Sequence, residues 1–178
     1  MSDEIDKTDY PEDLRDDERI FLIVADNTEE MNVAMRFACR RAKNTDGRVA
    51  VLYIIQPPEF QHFAFVGNLM IEEQEEEAEE TLTRLATVIE SRSGKAPVTY
   101  IRSGRAIDVV PALVGEEEQI KVLVLGANVG GEDPGPLVSH LVGKVAGHLR
   151  TPITVVPGNL TQEQIDAIGA TSGDELFR

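Results

Sequence analysis

The sequence predicts an α/β domain built on an open, five-stranded parallel sheet with helices on both faces. Five short, continuous apolar runs recur along the 178 residues, each of a length that suits a strand buried on both sides. Stretches patterned for helix fall between them, and strand–helix alternation implies parallel pairing through crossover helices. The runs also end at turn chemistry: Asp26-Asn27-Thr28 after the first, Gly126 after the fourth, and Pro152 and Pro157 around the fifth.

Taken in order, residues 1–18 hold nine acidic and two basic side chains with almost nothing apolar to pack, which predicts a mobile acidic tail. The domain then spans residues 19–157, followed by a C-terminal extension, 158–178. Arg19–Ala25 is the first strand. Asn27 is placed to cap the next helix, with Glu30 completing a capping box, and Met31, Ala34, Met35, Ala38 and Ala42 repeat at helical spacing. Arg48–Ile55 is the second strand, and Gln56 to Gly67 reads as a loop containing Pro57-Pro58. A long helix from about Asn68 to Ser93 carries Ala78, Leu82, Leu85, Ala86 and Ile89 on its inner stripe, and Gly94 stops it. Its run of seven glutamates between Glu72 and Glu80 is the solvated face.

Val98–Ile101 is the third strand. Arg105 to Glu118 is helical, with Pro111 expected to kink it or delay its start. Val122–Leu125 is the fourth strand, and the Gly- and Pro-rich stretch from Ala127 to Pro136 cannot be helix. Leu137, Leu141, Val142, Val145 and Leu149 mark another helix, Ile153–Val156 the fifth strand, and Thr161–Ala167 a short terminal helix capped by Thr161.

Composition narrows the function. With 17 basic and 32 acidic residues the formal net charge is −15, which disfavours nucleic acid and anionic membrane as partners. Cys39 is the sole cysteine, so an internal disulfide is excluded and a reducing, cytoplasmic location is expected. His140, Lys144 and His148 follow at i, i+4 and i+8, which puts the histidines about 12 Å apart along the axis, too far to share a metal. No G-x-S-x-G elbow or Walker motif is present, and a phosphoacceptor reading fails because Arg102-Ser103 follows the third strand. No nucleophile–base pair stands out, so catalytic residues are expected to be absent and the protein is read as a non-enzyme.

Two segments carry a family resemblance. VADNTEEMNVAMRFACRRA resembles the opening of universal stress proteins, and KVLVLGANVGGEDPGPLVSHLVGKVAGHLRTPITVVP resembles their closing half. The resemblance implies the universal stress protein (adenine-nucleotide α-hydrolase-like) fold over about Arg19 to Pro157. Nucleotide-binding members carry a glycine, a second glycine three residues later, and a Gly-Ser or Gly-Thr pair ten residues beyond. Here Gly126 matches the first, Val129 stands at the second, and Ser139-His140 replaces the pair. Gly130 and Gly131 lie just beyond Val129, where a shifted loop would bring one into the vacant role. Asp26 matches the family's aspartate near the nucleoside, and Ile54 the aliphatic position beside adenine. Arg105, after Ser103-Gly104, reads either as a basic group near a bound anion or as a plain helix-start residue.

Members lacking the glycine signature are not thought to use ATP, and the departures here place this chain nearer to them. The expected function is a non-catalytic regulatory or interaction module of the stress response. The alternative is ATP or AMP binding through the degenerate loop, with slow ATP hydrolysis, in a site made by Val24, Asp26, Ile54, Gly126, Ala127, Gly130, Gly131, Ser139, His140 and Leu141. The resemblance also implies a homodimer through the fifth strand, Ile153, Thr154, Val155 and Val156. The rival is that residues 158–170, with Leu160, Ile165 and Ile168, fold over that edge and leave a monomer.

Overall fold

Apolar residues on both sides of each central strand force helices onto both faces of the sheet. In β2 (Ile20–Ala25), Phe21 and Ile23 turn to one face while Ile20 and Leu22 turn to the other, all of them buried. β3 (Arg48–Ile55) repeats the pattern with Val49 and Val51 against Ala50 and Leu52. Each wholly buried Ile or Leu of this kind stabilises the fold by about 1.5–3 kcal/mol. The computed structural model describes residues 5–56 and 64–169. On one face lie α1 (Glu29–Asn44), α2 (Ala64–Ser93) and α5 (Gln162–Gly169). On the other lie α3 (Ala106–Glu116) and α4 (Pro136–His140), the latter running on into a wider π turn at Leu141–Val145.

With β4 (Val98–Ser103), β5 (Ile120–Ala127) and β6 (Ile153–Pro157), five strands run parallel as the sequence predicts. A sixth was not foreseen. β1 (Asp6–Asp9) pairs antiparallel with β4, giving the order β1-β4-β3-β2-β5-β6. Within the segment expected to be a mobile tail, Asp6–Asp9 therefore form an edge strand. It is fastened by polar contacts: Arg102 meets Asp6 at 2.8 Å and donates to the Lys7 carbonyl at 2.7 Å, while Lys7 bridges to Glu75 of α2 at 2.6 Å. Ile5, just ahead of it, is buried; its N–H donates to Ser103 Oγ at 3.1 Å and its carbonyl accepts the Ser103 N–H at 3.1 Å.

Other boundaries shift for local reasons. Thr28 rather than Asn27 caps α1, its Oγ1 accepting the Met31 N–H at 3.1 Å, while Asn27 takes a left-handed φ of 58° in the turn before it. α2 starts at Ala64, four residues before Asn68; residues 57–63, with the expected proline turn, lie outside the described residues. α3 passes through Pro111 without a delayed start. Thr161 caps α5 as expected, bonding the Gln164 N–H at 3.2 Å. The extension packs on α1, with Ile165 buried and Asp166 at 3.7 Å from Arg40.

The N-terminal ends of the strands enclose a charged cluster. Arg48, 1% exposed, opens β3 and meets Glu18 at 3.1 Å, while Lys95 meets the other Glu18 oxygen at 2.5 Å and Asp46 at 2.8 Å. Arg48 also donates to the Ala96 and Asp13 carbonyls, so its buried guanidinium is satisfied. Burial pushes the Glu18 carboxyl up, but the hydrogen bonds from Lys95 and Arg48 outweigh it and hold it below its ordinary value. Lys95 and Arg15 hold Asp46 down to about 2.

Removing one partner of a buried pair strands the other, so Glu18→Ala is expected to cost about 3–5 kcal/mol. Deleting residues 1–17 is expected to lower the melting temperature by several degrees, because Ile5, Asp13 and the β1 ladder are lost. Both depressed carboxyls add stability that is complete above their unfolded values and disappears as pH falls through the folded ones. The urea midpoint is therefore expected to drop between about pH 6 and about pH 3 more in the native chain than in Glu18→Gln.

Candidate functional site

Strand order reverses between β2 and β5, and in open α/β sheets the crevice beyond the carboxyl ends of such a pair is where ligands bind. Asp26 follows β2 there. Its Oδ1 accepts the Thr28 N–H at 3.0 Å and the Thr28 hydroxyl at 2.6 Å, closing the turn that launches α1. β5 ends in Gly126-Ala127, and the loop from Asn128 returns through Pro134-Gly135-Pro136 into α4. Between them lies a crevice of about 130 Å³, lined by Val24, Asp26, Met31, Gly126, Gly135 and Leu137 among others. That is well below the ~300–1,000 Å³ of ordinary small-molecule pockets.

Three of the ten sequence-derived site residues meet in this crevice: Val24, Asp26 and Gly126. Ile54 is partly buried on the same sheet face but packs against the core. Ala127 is buried, and its carbonyl takes the Gly158 N–H at 2.9 Å. Gly130 and Gly131 are exposed, and the Gly130 N–H is already donated to Asn128 Oδ1 at 2.8 Å. Ser139 donates its hydroxyl to Asp133 Oδ1 at 2.8 Å. His140 is half-buried at the end of α4, and Leu141 is wholly buried as a core residue. Arg105 stands at the helix-start position before α3, exposed and bonded to Asp108 at 2.7 Å, with no place in the crevice lining.

Sequence reasoning missed Asp133, which also accepts the Gly135 N–H at 2.9 Å. The signal was present as an aspartate just ahead of Pro134-Gly135-Pro136, a loop-to-helix entry where such side chains bond the chain's own donors. It missed the reason for Gly126 as well. A Cβ there would overlap the carbonyl of Glu30 in the first turn of α1, and a Cβ on Gly158 would lie 2.5 Å from Glu30 Cγ. Packing alone thus demands glycine at 126.

Other chemistry is muted. Burial pushes the Cys39 thiol up to about 12, so it stays protonated and inert. Among the described residues no group of three His, Cys, Asp or Glu is placed to hold a metal. Among them, too, no helix is long and apolar enough to cross a membrane.

A model of the universal stress protein family matches residues 18–157. The chain belongs to that family. Solved structures agree on the fold. Universal stress protein UspA of Lactobacillus plantarum is 16% identical with a TM-score of 0.65, over 80% of this chain and 99% of that one. A family member from Burkholderia pseudomallei is 16% identical with a TM-score of 0.58, over 81% and 99%. A family protein from Arabidopsis thaliana, solved with AMP bound, is 13% identical with a TM-score of 0.54, over 78% and 91%. Identities this low establish the shared fold alone. No curated protein sequence matches.

In this universal stress protein the two kinds of glycine separate experimentally. Gly126→Ala is expected to destabilise by about 1–3 kcal/mol, since α1 must move off β5. Gly131→Ala, with no atom nearer than 3.9 Å to the new Cβ, is expected to stay within about 0.5 kcal/mol of the native chain. Denaturant midpoints of the two variants check the contrast.

Proposed function

We propose that this universal stress protein acts as a homodimeric, non-catalytic regulatory module of the cytoplasm, paired through β6. One observation carries the reading: among the described residues, β6 is an uncharged edge strand with no strand on its outer side. The ladder bonds from Leu123 N–H to the Pro152 carbonyl and from Gly158 N–H to the Ala127 carbonyl turn the even-numbered residues toward β5. The N–H and C=O groups of Ile153 and Val155 therefore point outward, and the Val155 side chain is exposed. An edge of this kind invites pairing, and a two-fold contact between identical strands closes after two chains. The extension lies on α1, which favours the dimer over an edge covered by residues 158–169. The charge of −15 argues against nucleic acid as partner. The non-catalytic part is supported by Asp26, already bonded to Thr28, and by the inert Cys39 thiol.

Light scattering at micromolar concentration is expected to give twice 19.6 kDa. Val155→Pro, which removes an outward N–H and leaves the β5 ladder intact, is expected to give a single chain. A native chain that scatters as a monomer overturns the dimer.

A second reading places an adenine nucleotide in the crevice. It is favoured by Val24, Asp26 and Gly126 lining that space and by the AMP bound to the Arabidopsis relative. Calorimetry with AMP and ATP, with and without magnesium, is expected to detect binding at or below millimolar concentration; silence with both removes this reading.

A further inference from the structure

β4 has a strand on each side, and the two partners are unequal. On its inner side β3 runs parallel to it from the Ala50–Val98 pair to the Ile55–Ser103 pair. On its outer side β1 contributes Asp6-Lys7-Thr8-Asp9, in which no residue is apolar. Lys7 lies opposite Ile101 and Asp9 opposite Thr99. The Ser103 N–H reaches the Ile5 carbonyl at 3.1 Å, which fixes the parity of the ladder. The N–H and C=O groups of Thr99 and Ile101 therefore face β1. What fastens β1 within that ladder is polar and partly wet. The Lys7 ammonium, about half exposed, bridges to Glu75 at 2.6 Å and to Glu79 at 3.0 Å. Asp6, about two-thirds exposed, pairs with Arg102 at 2.8 Å. Ion pairs this exposed contribute little each and weaken in salt. A groove of about 350 Å³, lined by Lys7, Asp9, Leu82, Ala86 and Ile101 among others, lies between β1 and α2, so the helix does not clamp the strand there. Apolar anchors stand just outside β1. Ile5 is buried, and the Tyr10 ring meets Tyr100 edge-on while its hydroxyl donates to Glu117 at 2.7 Å.

The edge that β1 covers has a different character. Val98–Ile101 carries no charge, and Val98, Tyr100 and Ile101 are buried. Val, Thr, Tyr and Ile favour strands, whereas Asp and Lys are poor strand formers. Bared, such an edge is a template for a further strand. β4 already accepts an antiparallel partner on this side. A two-fold contact between identical edge strands is antiparallel as well, so a second copy offers β4 the same ladder from a better strand. Glu75 and Glu79, stripped of Lys7, would repel that copy. Salt therefore acts twice in one direction, loosening β1 and screening those glutamates.

We propose that β1 is an inhibitory strap: it holds the antiparallel place on β4 that a second copy of this chain takes when rising ionic strength lifts the strap. The contact is separate from the pairing assigned to β6, and it stands whether or not that pairing occurs.

The test is the full chain carrying Asp6→Lys together with Lys7→Glu. These changes turn the pairs with Arg102, Glu75 and Glu79 into repulsions, yet they cancel in charge and leave the net at −15. In dilute solution, amide hydrogen exchange at Thr99 and Ile101 is expected to run at least about tenfold faster than in the native chain. The native chain is expected to speed up at the same two amides between about 0.1 M and about 1 M salt. At high micromolar concentration, light scattering is expected to give the double variant at least twice the native mass. Adding Thr99→Pro, which removes an N–H facing away from β3, is expected to restore the native mass. Exchange unchanged by the double variant or by salt overturns the strap. Faster exchange at the native mass shows that bare β4 does not pair and overturns the proposal. A raised mass that survives Thr99→Pro places the contact elsewhere and does the same. If the proline variant does not fold, the exchange and mass of the double variant decide. Because each mass is compared with the native chain's own, a failed β6 pairing leaves the outcome readable.

Discussion

The first turn of α1 rests directly on glycine at the ends of two strands, and the layout of the binding face follows from that contact. Glu30 occupies the space a side chain would need at Gly126, at the end of β5, and at Gly158, just past β6. So close an approach requires α1 to start at a fixed height above the sheet. The Asp26–Thr28 turn provides it: one carboxylate oxygen takes two bonds, and the Thr28 hydroxyl then caps the helix. Seated this low, α1 puts Met31 and Ala34 into the wall of the β2/β5 crevice and leaves it shallow. The glycine that family resemblance ties to a ligand is thus fixed first by packing. Its presence says little about what binds.

The two ends of the sheet divide the work. At the N-terminal ends of the strands, Glu18, Arg48, Lys95 and Asp46 are tied to one another by ion pairs and hydrogen bonds. That cluster joins the N-terminal segment to the start of β3 and the approach to β4, so its contribution is structural. At the C-terminal ends, Asp26, Asn128 and Asp133 are exposed and bonded within short turns. Loops on a rigid sheet are where binding is ordinarily placed.

The five parallel strands were legible because their apolar runs carry a periodicity that only burial on both faces explains. β1 was illegible for the matching reason. Asp6-Lys7-Thr8-Asp9 has no apolar residue, and what orders it are partners at great sequence separation, Arg102 and Glu75. Local composition rightly reads such a segment as polar but is blind to those partners. The cap of α1 was misplaced by one residue because Asn27 and Thr28 are both good caps; the left-handed turn, which asparagine tolerates better than threonine, settles the choice. In the candidate site, Val24 on β2 and Asp26 just past its end were placed beside the crevice by the strand-end pattern and the family resemblance. The loop-borne ones were not, since Gly130 and Ser139 are claimed by Asn128 and Asp133 through side-chain bonds that no spacing rule encodes.

The two edges of the sheet are treated in opposite ways, and charge is the reason this matters. A chain of net charge −15 repels its own copies, which keeps collisions unproductive unless some surface is both uncharged and geometrically self-complementary. β1 closes off one edge with Asp6, Lys7 and Asp9, side chains that discourage strand addition. β6 has no charge from Ile153 to Pro157, and its alternation sends the Val155 backbone outward while Thr154 stays in the β5 ladder. On the pairing proposed above, general repulsion with an uncharged edge would make association selective: screening at physiological salt confines the repulsion to about 8 Å, which leaves short-range backbone bonds and apolar contact at β6 to act. The prolines at 152 and 157 limit the length of that edge. The acidity near the N-terminus thus serves the fold by fastening β1 to Arg102, and the uncharged β6 stays the edge to which the proposed pairing is assigned.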